Sequence, residues 1–176
     1  MNLSNLLIFL IFNLLSSAFL VLMILRAFRA NYFNPVVKFF VTYFEKPKQK
    51  FIPFLPSLVS SLFLALLLKC LANVFIYDIQ NYYKVVVFSL VGLVNLFFRI
   101  IFYIVVASVI FSWVARGSRH ALIELVNEIS DKALAPIRSI IPSFGGLDFT
   151  PIFFILILNY ANSLMIDIVR MLAQSL

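Results

Sequence analysis

Four uncharged or nearly uncharged apolar stretches, each as long as a bilayer is thick, constrain this chain more than any other feature. Leu3 to Leu25, Ser57 to Tyr77, a stretch to be chosen from within Val85 to Ala115, and Phe149 to Val169 each supply the roughly 20 residues a membrane-spanning helix needs. In lipid every backbone N–H and C=O must be satisfied within the segment, so such stretches are read as helices. With 64% hydrophobic and 12% charged residues in 176, four spans leave only short connections and no room for a soluble catalytic domain. The fold class expected is an all-α membrane protein of about four transmembrane helices.

The charges report topology. The connection after the first span holds Arg26, Arg29, Lys38, Lys46, Lys48 and Lys50, and the one after the third holds Arg116, Arg119, Lys132 and Arg138. The link between the second and third spans holds only Lys84. Lys and Arg gather on the cytoplasmic side, which places both long connections there and both termini outside. The net charge of +7 is explained in this way, without nucleic acid. Met1 to Leu25 lacks the basic start of a secretory signal and is expected to remain as a span, and no Arg/Ser-rich transit segment is present, which favours a bacterial cytoplasmic membrane.

Both long connections carry helical periodicity. Val36, Phe39, Phe40 and Tyr43 fall on one face, opposite Lys38, Thr42 and Glu45; Leu122, Leu125, Val126 and Ile129 repeat the apolar face 86 positions later, opposite Glu124, Glu128 and Asp131. Each reads as an amphipathic helix lying in the membrane interface. The same shift takes Glu45-Lys46 to Asp131-Lys132 and Pro56-Ser57 to Pro142-Ser143. The chain is therefore expected to be two tandem units of one orientation, 1–84 and 85–176, each a span, an interfacial helix, a proline-containing turn and a span.

The second unit carries a specific run: Ser112-Trp113, then Pro136-Ile137-Arg138, Pro142-Ser143-Phe144-Gly145-Gly146-Leu147-Asp148-Phe149-Thr150-Pro151. With Leu25-Arg26 and Asn34-Pro35 in the first unit, this resembles the YggT family of small membrane proteins, also called YlmG-like. The resemblance implies a two-repeat membrane protein linked to osmotic tolerance, to cell or organelle division and, in chloroplast relatives, to assembly of a haem-bearing cytochrome. Its motif positions are Trp113, Arg116, Pro136, Arg138, Pro142, Gly145, Gly146, Asp148, Thr150 and Pro151. The first unit lacks the Gly-Gly-x-Asp element.

The same turn has a plain structural use: glycines for positive φ, Thr150 capping the last span with Pro151 first in the helix, and an Arg138–Asp148 pair at the membrane surface. The row His120, Glu124, Glu128 and Asp131 is a solvated face, or a surface that meets Lys46, Lys48 and Lys50 or another protein. Lys69, Arg99 and Asp167 fall inside spans, where an ionised group costs about 2.5–3.5 kcal/mol at mid-depth. They are placed toward the outer half, with snorkelling or an Arg99–Asp167 pair to relieve them. Asn73, Asn95, Asn159 and Asn162 are expected to bond helices together.

Only Cys70 and His120 are available as Cys or His, which removes disulfide, zinc and paired-histidine haem chemistry, and no cofactor is expected. No catalytic constellation is found, so the chain is not expected to be an enzyme. The function expected is a non-catalytic factor that assembles or positions other membrane or division proteins, its partners being the bilayer and a membrane protein or a second copy. The alternative is a small cation-transport or osmotic-stress protein.

Overall fold

A computed structural model describes residues 3–76, 82–115, 117–141 and 148–174. It is all-helical there, with no strand among the described residues. We number six helices: α1 (Leu3–Ala27), α2 (35–51), α3 (Ser57–Ile76), α4 (Tyr82–Val114), α5 (Ala121–Arg138) and α6 (Thr150–Gln174). Four of them, α1, α3, α4 and α6, are long and apolar enough to cross a membrane, and the chain is a multi-pass membrane protein. The third span is one unbroken helix of 33 residues. At 1.5 Å per residue it is about 50 Å long and outruns a hydrocarbon core of about 30 Å.

Small polar side chains tie the spans together, as the absence of water demands. Ser16 Oγ of α1 donates to the Ala65 carbonyl of α3 at 2.7 Å, Asn73 Nδ2 of α3 to Ser89 Oγ of α4 at 2.9 Å, and Asn162 Nδ2 of α6 to Asn95 Oδ1 of α4 at 3.2 Å. Around these contacts Leu20, Ile24, Ala65, Leu93, Ile101 and Leu158 form the apolar core. In α6, only Thr150, Pro151 and Leu158 are buried among the described side chains. Most of its circumference is left to face lipid.

α1 ends in a left-handed turn at Arg29 (φ 48°), with the Ala30 N–H returning to the Leu25 carbonyl at 2.9 Å. α2 then starts behind Asn34, whose Oδ1 caps the Val36 N–H at 2.9 Å, and α5 starts behind His120, whose Nδ1 accepts from the Leu122 N–H at 3.3 Å. These two caps are 86 positions apart. The offset does not carry through to the last span: α3 and α6 begin at Ser57 and Thr150, 93 positions apart, seven more than the caps. Pro142 and Ser143 lie outside the described residues.

Within α2, Val41–Glu45 is a π-helical turn, in which the Lys46 N–H reaches the Val41 carbonyl. Pro47 follows it. It has no N–H for the Tyr43 carbonyl and its ring crowds that oxygen, which favours the wider turn.

α2 and α5 pack on each other. Val37 and Val41 meet Leu125 and Ile129 beneath Leu25, and Asn34 Nδ2 donates to the Ala121 carbonyl at 2.7 Å. The buried face of α2 is thus Val37, Val41, Glu45 and Lys48, whereas Phe39 and Tyr43 are exposed. The sequence reading put Val36, Phe39, Phe40 and Tyr43 on one apolar face lying in the membrane interface; Val36 and Phe40 also pack partly against this cluster, and the face turned to the protein was not read from the periodicity. The helix has two apolar faces, one against protein and an aromatic one, with Phe39 and Tyr43 rings 5.0 Å apart, against the surroundings.

Candidate functional site

Two groups of polar side chains stand out, one where the connecting helices meet the spans and one within the spans.

The first begins with Glu45, the last residue of the π turn, which is 2% exposed. Arg26, at the end of α1, donates Nε at 3.0 Å and also Nη2 to one carboxylate oxygen, and Ser57 Oγ donates to the other. Lys48, 4% exposed, donates Nζ to the Ser57 carbonyl and to Ser61 Oγ, both at 2.8 Å. Burial would raise the Glu45 carboxyl, but hydrogen bonds from Arg26 and Ser57 and the charges of Arg26 and Lys48 hold it below its ordinary value. Burial pushes the Lys48 ammonium down, and Glu45 only partly offsets this. Sequence periodicity did not find this network. It put Glu45 on the polar face of the helix and Lys48 in a basic surface with Lys46 and Lys50.

On α5, the acidic row is used within the chain rather than against Lys46, Lys48 and Lys50. Glu128 accepts from Lys132 at 2.6 Å and from the Asn31 backbone N–H at 3.0 Å, and Lys132 also donates to the Arg29 carbonyl at 2.9 Å. Asp131 accepts from Arg138 Nη1 at 2.8 Å. Glu124 and Leu122 remain exposed.

At the end of α5, Arg138 Nε donates to Asp148 at 3.0 Å, and the other Asp148 oxygen accepts from the Thr150 N–H at 2.9 Å. The last span is therefore capped by Asp148. Thr150 is its first residue and Pro151 its second, one position later than the sequence suggested. Hydrogen bonding to Asp131 holds the Arg138 guanidinium above its ordinary value against some desolvation. For Asp148 burial acts upward, and is outweighed by Thr150 and Arg138. Pro136 lies inside the last turn of α5, and Trp113 is 76% exposed near the end of α4. Arg116, Pro142, Gly145 and Gly146 lie outside the described residues.

Within the spans, Lys69, Arg99 and Asp167 are not brought together. Lys69 donates Nζ to Asn13 Oδ1 of α1, and its stem crosses Gly92 of α4, where a Cβ would stand 3.0 Å from Lys69 Cε. Asp167 sits 3.9 Å from Arg170, one turn along α6, and not beside Arg99. Arg99 instead lines a lateral groove of about 320 Å³ between α4 and α6 with Asn95, Tyr103, Asn159 and Asn162. Asn162 Oδ1 is buried there without a hydrogen-bond partner. Sequence marked Arg99, Asn95, Asn159 and Asn162 without bringing them together, and did not mark Tyr103; their convergence depends on the Asn95–Asn162 pairing.

Sequence comparison gives the context. A family profile described as CCB3/YggT matches residues 87–169, which covers most of α4, all of α5 and most of α6. The uncharacterized protein PA0392 of Pseudomonas aeruginosa is 32% identical over 154 residues, covering 82% of this chain and 78% of its own length. The uncharacterized protein YggT of Escherichia coli is 26% identical, over 75% of this chain and 72% of its own. A Vibrio alginolyticus protein described by its position in the proC 3' region is 27% identical over 96% of each chain. No solved structure matches. Similarity on this scale, running through the spans and both connections, makes the chain a member of the CCB3/YggT family.

Proposed function

We propose that this protein is a non-catalytic factor of the bacterial cytoplasmic membrane that assembles or positions other membrane proteins. The observation that carries the reading is the docking of α2 on α5, through Val37, Val41, Leu125 and Ile129 and the Asn34 bond, which joins the two connecting helices into one body. That body is fixed to the spans by Arg26, Glu45 and Ser57 and leaves Glu124 and Leu122 exposed on its surface. A rigid, mixed polar and apolar surface held at a membrane face suits docking.

The reading takes the chain as two tandem units of one orientation, with α2 and α5 in the cytoplasmic interface and both termini outside. The matching caps at Asn34 and His120 and the Lys/Arg excess in both connections support it. The exposed aromatics Phe33, Phe39, Tyr43, Phe51 and Phe54 around α2 suit insertion among headgroups.

Cation transport is the second reading, drawn from the groove at Arg99. A fixed guanidinium with no carboxylate beside it repels a cation, so the groove favours it little. The experiment that separates the two places a photo-crosslinking amino acid at Glu124 in living cells. One discrete heavier adduct is expected. Absence of any adduct, together with K+ flux through liposomes that Arg99→Leu abolishes, would replace assembly by transport.

A further inference from the structure

Arg99 is exposed on the groove wall, and no ion pair or hydrogen bond joins it to any described residue. Asn159 beside it is also exposed, and the Asn162 carbonyl oxygen is buried and unpartnered. Their depth follows from the helix contacts. Asn162 is twelve residues into α6, about 18 Å from the level of Thr150, where Asp148 ties the helix to Arg138. Asn162 meets Asn95, and Arg99 is one turn back toward α5, which puts its backbone about 12 Å from that level. Arg99 therefore lies near the middle of a hydrocarbon layer of about 30 Å, in the half nearer α2 and α5 and not the outer half. An ionised arginine left facing lipid there is costly and calls for a partner.

From the unpaired Arg99 and the unsatisfied Asn162 carbonyl beside it, we infer that the α4–α6 groove is a docking site for a transmembrane helix of another protein that carries a carboxylate at mid-depth. Charge complementarity selects this occupant: the carboxylate pairs with Arg99, while Asn159 and the Asn162 carbonyl bond polar groups beside it. A second copy does not supply the acid. Among the described residues Asp167 is the only carboxylate inside a span, and it lies five residues beyond Asn162, about 13 Å in depth from Arg99. In a copy inserted the same way that separation remains, and the two side chains do not bridge it and the gap between protomers. An anionic headgroup lies at the interface, well away from the groove. The inference rests on the assembly reading and names the chemistry of one partner.

The test reconstitutes the full chain in phosphatidylcholine vesicles with fluorescent peptides of about 20 leucines carrying one central Asp, Asn or Leu. Energy transfer to the labelled protein is expected to show the Asp peptide bound about 5- to 30-fold more tightly than the Leu peptide. Arg99→Leu is expected to erase the difference and Arg99→Lys to keep part of it, with helicity and monodispersity unchanged, since no hydrogen bond or ion pair to a described residue depends on Arg99. Equal binding of Asp and Leu peptides, or an Asp preference that survives Arg99→Leu, would overturn the inference. So would Arg99-dependent binding of spin-labelled phosphatidylglycerol or Arg99-dependent self-association in place of peptide binding. The Glu124 adduct is an independent readout, so assembly stands if only the peptide preference fails.

Discussion

Arg26, the single charge of the first span, donates two hydrogen bonds to Glu45, whose carboxylate is sealed between α1, α2 and α3. The pair fixes where α2 leaves the first span and where it meets the second. Removing the acid leaves Arg26 and Lys48 as neighbouring cations, one of them buried. Glu45→Gln is expected to cost about 2–3 kcal/mol, at or below the low end for breaking a buried pair because Arg26 is partly exposed. Reversible unfolding in mixed micelles measures it.

The same residue predicts an acid limb. A carboxyl whose folded pKa lies below its ordinary value of 4.5 contributes stability that is complete above that value and is lost as pH falls through the folded pKa. Lys48 has the opposite charge and a lowered pKa. Its ammonium is disfavoured by folding, so its burden on stability lightens as pH rises toward 10.5. The difference in stability between wild type and Glu45→Gln should shrink as pH falls from 7 to below 4. A constant difference across that range would count against the network.

Asn34 serves two helices at once, capping α2 with Oδ1 and holding the Ala121 carbonyl with Nδ2. Asn34→Ala is expected to destabilise by about 1–2 kcal/mol and to speed hydrogen exchange in the first turn of α5 as well as of α2. Asn34→Asp keeps the cap but loses the second bond. It should therefore protect α2 and not α5.

Gly92 makes room for Lys69. Gly92→Leu is expected to cost about 1–3 kcal/mol by displacing the lysine stem from Asn13, and less in a Lys69→Ala background, where the volume is free. Equal costs in the two backgrounds, read by the same micelle unfolding, would place the strain elsewhere.

The four spans were legible because length and hydropathy alone determine them; α1, α3 and α6 begin within a residue of where the apolar stretches do. The packed face of α2 was not. Next to a bilayer, apolar residues such as Phe39 and Tyr43 gain nothing by facing protein, so hydrophobic periodicity cannot separate the lipid side from the core side. Glu45 and Lys48 were missed for the converse reason, since charge in a sequence reads as exposure until a partner such as Arg26 is found 19 positions away. The groove at Arg99 depends on a contact between Asn95 and Asn162, 67 positions apart, which no local pattern encodes.

The central claim is that α2 and α5 form one body on the cytoplasmic side of a four-span protein. Single cysteines at Lys46 and Glu124, in a Cys70→Ser background, can be probed with a membrane-impermeant maleimide from either side of intact and inverted vesicles. Both positions are expected to label only from the cytoplasmic side. Labelling of the two from opposite sides, or of both from outside, would contradict the account.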